Sequence, residues 1–233
     1  MISFVVPAHN EERLLGATLD AIHAAARDVA LPYELIVADD ASTDRTAAIA
    51  REKGARVVAC DHRQIARVRN TGARASTGEI LIFVDADTLI SAPLVRATLA
   101  AIAGGAAGGG ATLEVEGRVP WWGPAVLWLA EVTMRVMRWA AGCYVFCTRA
   151  AFDLTGGFDE QLFATEEIAF SRALQRAGPV VILREHVITS GRKMRTHALR
   201  EFLPVWGGIF PRGTAALRSR DKLSVWYGDR KNE

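Results

Sequence analysis

Glu79-Ile80-Leu81-Ile82-Phe83-Val84-Asp85-Ala86-Asp87 is an apolar run, rich in β-branched residues, that ends in two carboxylates spaced two apart. A run of this length bounded by polar residues predicts a strand buried on both faces. Side chains at i and i+2 of an extended segment point the same way, so Asp85 and Asp87 should converge. Two carboxylates about 4 Å apart repel by about 4 kcal/mol at an effective dielectric of about 20. The pair therefore calls for a cation. A hard divalent ion, Mg²⁺ or Mn²⁺, carrying a phosphorylated ligand satisfies it; a solvated strand end with two surface acids is the plain alternative.

Upstream of this run, strands and helices alternate. Residues 2–6, 34–38 and 56–59 read as strands, and 11–26, 43–53 and 65–75 as helices, with Ser42 as the N-cap of the second helix. Alternation of this kind implies an α/β fold, a mostly parallel central sheet with helices on both faces. Ligands of such sheets bind beyond the carboxyl ends of the strands. The clusters Pro7-Ala8-His9-Asn10-Glu11-Glu12, Asp39-Asp40-Ala41-Ser42-Thr43-Asp44 and Asp85-Ala86-Asp87 each follow a strand directly, so all three fall on one sheet edge. Downstream the pattern is less regular. We expect a helix over 93–103, a glycine-rich turn at 104–110 and a strand near 111–115. A tryptophan-rich amphipathic helix follows over 122–140, then a strand at 144–148, a helix at 165–176 and a strand at 180–183. The glycine run precedes a strand instead of linking strand to helix, which excludes a dinucleotide loop. The expected organisation is one Rossmann-like domain over 1–233, with a nucleotide-binding half (1–90) and an acceptor half (91–233) ending in a basic tail.

Bulk properties narrow the function classes. At 50% hydrophobic and 23% charged residues, the chain is an ordinary globular one, and a net charge of +2 argues against a nucleic-acid partner. Basic residues concentrate from Arg192 onward, which suits a phosphate-bearing ligand or an anionic membrane surface. Cys60, Cys143 and Cys147 lack metal-site spacing and read as reduced thiols. The chain starts in a strand with no leader pattern, and its longest apolar stretch, 119–141, is interrupted by Glu131, Arg135 and Arg138. A cytoplasmic protein, with the inner face of the membrane as an option, is the expectation.

Five segments, in order from residue 2 to about residue 195, resemble family 2 glycosyltransferases of the GT-A fold. They are Val5-Val6-Pro7-Ala8-His9-Asn10-Glu11-Glu12, Val37-Ala38-Asp39-Asp40-Ala41-Ser42-Thr43-Asp44, Ala66-Arg67-Val68-Arg69-Asn70-Thr71-Gly72, Asp85-Ala86-Asp87, and Gly156-Gly157-Phe158-Asp159-Glu160 followed by Glu166-Glu167. The resemblance implies an inverting transferase that moves one sugar from a nucleotide-diphosphate donor to an acceptor hydroxyl or phosphate, with Mn²⁺ or Mg²⁺ as cofactor. It assigns Asp87 as a metal ligand and Asp85 to the ribose or the metal's water shell. One of the acids Glu166 and Glu167 becomes the general base; the family's usual Glu-Asp order points to Glu167, although Glu stands here in place of Asp.

Donor contacts are then expected from Pro7, Asn10, Glu12, Asp39, Arg69, Asp85 and Arg192. Asp39 accepts a hydrogen bond from a uracil or guanine ring N–H, Arg69 meets the base or the pyrophosphate, and Arg192 with Lys193 clamps the pyrophosphate. Several of these have plainer readings. Asp39, Asp40, Ser42 and Asp44 would also make a turn and cap a helix, and Glu12 would suit a helix dipole. His186 and His197 are not assigned as ligands. Trp121, Trp122, Trp128 and Trp139 offer a sugar-stacking floor or a membrane-interface belt, although core packing is preferred for Trp128 and Val132. Glycan, lipid-linked and small-molecule acceptors all remain open, and peripheral membrane contact with them. No Q-x-x-R-W motif is present, which favours single transfer over polymer synthesis. A sugar nucleotidyltransferase is the runner-up, though it would need a glycine-rich, arginine-bearing loop after the first strand. A catalytically degenerate nucleotide-binding module is third.

Overall fold

The computed structural model describes residues 1–116 and 123–190. The strands are β1 (Ile2–Ala8), β2 (Tyr33–Asp40), β3 (Arg56–Cys60), β4 (Ile80–Val84), β5 (Thr88–Leu89), β6 (Gly108–Glu116), β7 (Tyr144–Thr148) and β8 (Val180–Ser190). The helices are α1 (Leu15–Val29), α2 (Thr46–Glu52), α3 (Ile65–Ala75), α4 (Ala92–Ala103), α5 (Gly123–Met137), α6 (Arg149–Thr155) and α7 (Glu166–Ala177). All strands join one sheet in the order β3-β2-β1-β4-β7-β6-β8-β5. β1 to β4 are mutually parallel, β6 and β8 run with them, and β7 and β5 run against them.

Side-chain alternation along the central strands builds two cores. Phe4 and Val6, Ile82 and Val84, and Tyr144 and Phe146 pack against α1 and α4, which contribute Leu19, Ile22, Leu94 and Val95. Val5, Leu81, Phe83, Val145 and Cys147 face the other way, against Ala66 and Ala73 of α3, Phe152 of α6, and Phe170 and Leu174 of α7. Each Val, Leu, Ile or Phe among them contributes about 1.5–3 kcal/mol by burial before entropy is counted. Both faces of β4 are thus covered, as its unbroken apolar sequence requires.

The glycine-rich stretch departs from expectation. Gly108 to Gly110 lie within β6 itself, because the strand is squeezed between close neighbours. A Cβ on Gly109 would stand 2.0 Å from the Val181 carbonyl oxygen, and one on Gly110 would meet the Ala140 Cβ at 2.6 Å. Close approach, not a turn, explains the composition. Ser42 is likewise not a helix cap. Arg45 occupies the N-cap of α2 without a side-chain cap bond, while Ser42 Oγ accepts from the Asn10 N–H at 3.0 Å. The short elements β5 and α6 were not anticipated, and β8 runs seven residues beyond residue 183. α5 matches its expected place, but Trp128 is 65% exposed and Val132 is exposed as well, so neither packs in the core. Trp139 is the buried one, with the Arg172 guanidinium 4.6 Å above its ring.

Candidate active site

The ends of β1, β2 and β4 present their polar loops on one edge, and two of these loops are stitched together. Asn10, at φ 52°, accepts through Oδ1 from the Thr43 N–H at 2.8 Å. Glu12 accepts through Oε2 from the Arg45 N–H, and its own N–H donates to Asp44 Oδ2. Asn10 and Glu12 thus shape the β1 and β2 loops against each other. Pro7 is buried within β1.

Asp39 and Asp40 end β2 and alternate sides. Asp40 Oδ1 accepts from the His62 and Arg63 N–H groups at 2.6 and 3.1 Å, pinning the loop after β3. The Arg63 guanidinium donates to His9 Nε2 at 2.7 Å, so the His9 ring carries its proton on Nδ1 and donates to the Asp40 carbonyl. Asp39 is 7% exposed, and its Oδ1 has no hydrogen-bond partner among the described residues. A buried carboxylate oxygen left without a donor costs about 1–3 kcal/mol or more. A ligand N–H would repay it.

Arg69 organises the centre. Its side chain is 2% exposed and spans three elements. Nη2 donates to Asp85 Oδ1 and to the Gly142 carbonyl, each at 2.8 Å, and Nη1 donates to Glu166 Oε1 at 2.7 Å. The guanidinium lies 5.2 Å from the Phe158 ring centre. Arg69 is therefore not directed at solvent as a base or pyrophosphate contact would be; it binds one acid of each acidic motif. Next to it, Asn70 clamps the glycine-rich segment. Its amide donates to the Phe158 carbonyl and to Glu160 Oε1, and its Oδ1 accepts from the Phe158 N–H, all at 2.9 Å. Gly157, at φ 83°, is needed there, since a Cβ would lie 2.5 Å from Asn70 Oδ1.

Glu166 and Glu167 open α7 and fall into different environments. Glu166 is buried against Arg69. Glu167 is partly exposed, with its Cδ placed 3.7 Å from where a Cβ on Gly142 would stand. Burial pushes the Glu167 carboxyl up to about 8, the neighbouring Glu166 charge adds to the rise, and the Arg69 charge opposes it. A carboxyl poised near neutrality at a sheet edge has the properties of a general base. Burial also raises the Cys60 thiol to about 12, with the Asp40 and Asp39 charges adding to the rise, and none of the three cysteines is in a disulfide.

The acids after β4 are the candidates to hold a divalent ion. Asp85 commits one oxygen to Arg69, and no group of three or more His, Cys, Asp or Glu among the described residues could hold a metal alone. β4 ends at Val84, so Asp85 and Asp87 stand in the turn that follows and not on an extended strand; as a donor set, two carboxylates suit an ion such as Mg²⁺ that takes its other ligands from substrate phosphates and water. Arg192, Lys193, His197, Trp121 and Trp122 lie outside the described residues. His186 is exposed and pairs with Glu114 of β6 at 3.2 Å.

Sequence reasoning missed the positioning residues Asn70, Asp40 and Gly142. Asn70 and Asp40 stood inside recognised motifs but looked like ordinary helix and turn residues. Gly142 carried no signal, because its role is to offer a carbonyl to Arg69 across the fold.

This sheet order, with acids at the ends of β2 and β4 and on α7, is that of an α/β fold of the GT-A kind. The mannosyltransferase PcManGT from Pyrobaculum calidifontis, solved with GDP-Man and Mn²⁺, superposes with a TM-score of 0.66 at 19% identity over 96% of this chain and 72% of that one. The chain belongs to glycosyl transferase family 2, whose model matches residues 3–151. Among curated relatives, validoxylamine A glucosyltransferase of Streptomyces hygroscopicus is 34% identical over 112 residues, 45% of this chain and 24% of its own length. Undecaprenyl-phosphate 4-deoxy-4-formamido-L-arabinose transferase of Serratia proteamaculans is 33% identical over 98 residues, 37% of this chain and 28% of its own length. The matched region thus spans about a quarter of each relative.

Proposed function

We propose that this chain is an inverting glycosyltransferase that moves one sugar from a nucleotide-diphosphate donor to an acceptor hydroxyl or phosphate, with Glu167 as general base. The observation that carries it is the single guanidinium of Arg69 binding Asp85 of the donor side and Glu166 of the acceptor side within one buried cluster. That link ties the two acidic motifs together and leaves Glu166 committed to the guanidinium. Glu167 is then the acid left for proton transfer.

In this account the base's ring N–H donates to the unpartnered Oδ1 of Asp39, and the loop pinned by Asp40 forms the facing wall. Asp87, with Asp85, would hold Mn²⁺ or Mg²⁺, which when bound neutralises the charge that builds on the departing diphosphate. Glu167 accepts the acceptor's O–H proton as that oxygen bonds to the anomeric carbon, and the anomeric C–O electrons leave with the diphosphate. Relatives named for Mn²⁺, for GDP-Man and for an undecaprenyl-phosphate acceptor support the ion, the donor class and a lipid-linked acceptor.

The test is release of nucleoside diphosphate from a panel of UDP- and GDP-sugars, with Mn²⁺, in the presence of sugar or polyprenyl-phosphate acceptors. One donor–acceptor pair should turn over and give a product of inverted anomeric configuration by NMR. A product of retained configuration, or no release above the spontaneous rate with any donor, would contradict the reading.

A further inference from the structure

α5 carries its apolar side outward. Ala125, Trp128, Leu129, Val132 and Val136 recur at helical spacing on one face, and all are exposed, Val136 by 74%. The rest of the helix, through Leu127 and Glu131, borders a cleft against Thr112 and Leu113 of β6, and Trp128 stands at the cleft's rim with much of its ring still exposed. Scattered exposed apolar residues need no explanation, but a contiguous stripe with a central Trp marks a surface that something covers. Charge identifies the cover. The stripe's only neighbouring acid on α5, Glu131, is paired with Arg135 at 2.9 Å. Around the C-terminal end of the helix stand Arg138, Arg172 and Arg176, all exposed, the last two on the part of α7 whose Gln175 amide binds the Met137 and Arg138 carbonyls. An apolar face with Trp, rimmed by arginines and carrying no free acid of its own, complements an anionic lipid surface. The helix has 15 residues, and among the described residues none is long and apolar enough to cross a membrane, so it would lie in the interface plane.

We propose that the outward face of α5 docks this protein on anionic lipid. The helix leads directly to the reacting centre. Ala140 N–H donates to Ser171 Oγ, which donates to the Glu167 carbonyl, and Gly142 meets Arg69 and the Glu167 side chain. Docking would therefore hold the Glu167 edge near the bilayer, where a lipid-phosphate acceptor lies; that consequence rests on the function proposed above, whereas the docking itself does not.

The experiment is flotation of the full chain with phosphatidylcholine vesicles containing about one-third phosphatidylglycerol, against pure phosphatidylcholine, for the wild type, V132E/V136E and R138A/R172A. UDP and GDP binding in solution is measured on each protein. The expected result is partition into the anionic vesicles that falls at least about tenfold in V132E/V136E, weakens in R138A/R172A and in high salt, and leaves nucleotide binding unchanged. Equal partition of wild type and V132E/V136E overturns the proposal. So does a dimer that V132E/V136E dissolves without any vesicle binding, which would assign the face to a second copy. Absence of both UDP and GDP binding in the wild type would sink the transferase reading and leave the vesicle result standing.

Discussion

The two halves of the sheet hold their site residues by different means. In β1 to β4 and their loops, acids and amides are fixed by neighbours on adjoining loops, as Asn10 is to Ser42 and Thr43. Among the described residues of the second half, the site's acids are held from farther away. Glu166, Phe158 and Glu160 are held from α3, 97, 88 and 90 residues away, through Arg69 and Asn70. One half is a set of self-supporting loops, and the other is an assembly hung on a single helix.

The contrast orders what substitution should do. Arg69→Met leaves Glu166 and Asp85 uncompensated, and breaking a buried ion pair in this way costs about 3–5 kcal/mol. Thermal melting should show the loss, together with disappearance of transfer; a variant melting like the wild type would mean that the halves do not depend on this link. Glu167→Gln removes only the proton acceptor, so turnover should drop roughly 10²- to 10⁴-fold with an unchanged melting temperature. The pH dependence sharpens the same point. A base must be deprotonated to act, and the Glu167 carboxyl is raised to about 8, so kcat/KM should climb with pH until about 8 and then level. A limb in the ordinary carboxylate range would reassign the base.

Asn70→Ala is next in size. It removes three hydrogen bonds to the segment around Phe158 and should destabilise by roughly 2 kcal/mol in denaturant titrations while weakening acceptor use more than donor binding. Asn10→Ala is the smallest, about 1 kcal/mol or less, because the Thr43 N–H and hydroxyl sit where water can replace the lost Oδ1. If Asn10→Ala proved as damaging as Asn70→Ala, the distinction between the halves would fail.

The same distinction explains what was legible in the sequence. α3 was read with its observed bounds, and β4 falls inside the apolar run quoted for it, because apolar period and flanking polar residues decide them locally. The polar loops fell on one edge for the same reason: a parallel sheet leaves no other place for them. Arg69 could not be read correctly. A helix arginine two residues from another arginine looks solvated until the fold brings Asp85 and Glu166 to it. Gly108 to Gly110 misled because composition signals a turn, whereas the cause is the approach of β8 and Ala140. Trp128 and Val132 misled in the opposite sense, since an apolar helical stripe predicts burial and this one faces outward.

The central claim is that donor binding and proton transfer reside in separate acids. Calorimetric titration of UDP and GDP, with and without Mn²⁺, into the wild type, Asp87→Ala, Asp39→Asn and Glu167→Gln tests it most directly. The account predicts metal-dependent binding of one nucleotide by the wild type and Glu167→Gln alike, and loss of that binding in Asp87→Ala and Asp39→Asn. Equal loss of nucleotide affinity in Glu167→Gln and Asp87→Ala would contradict it.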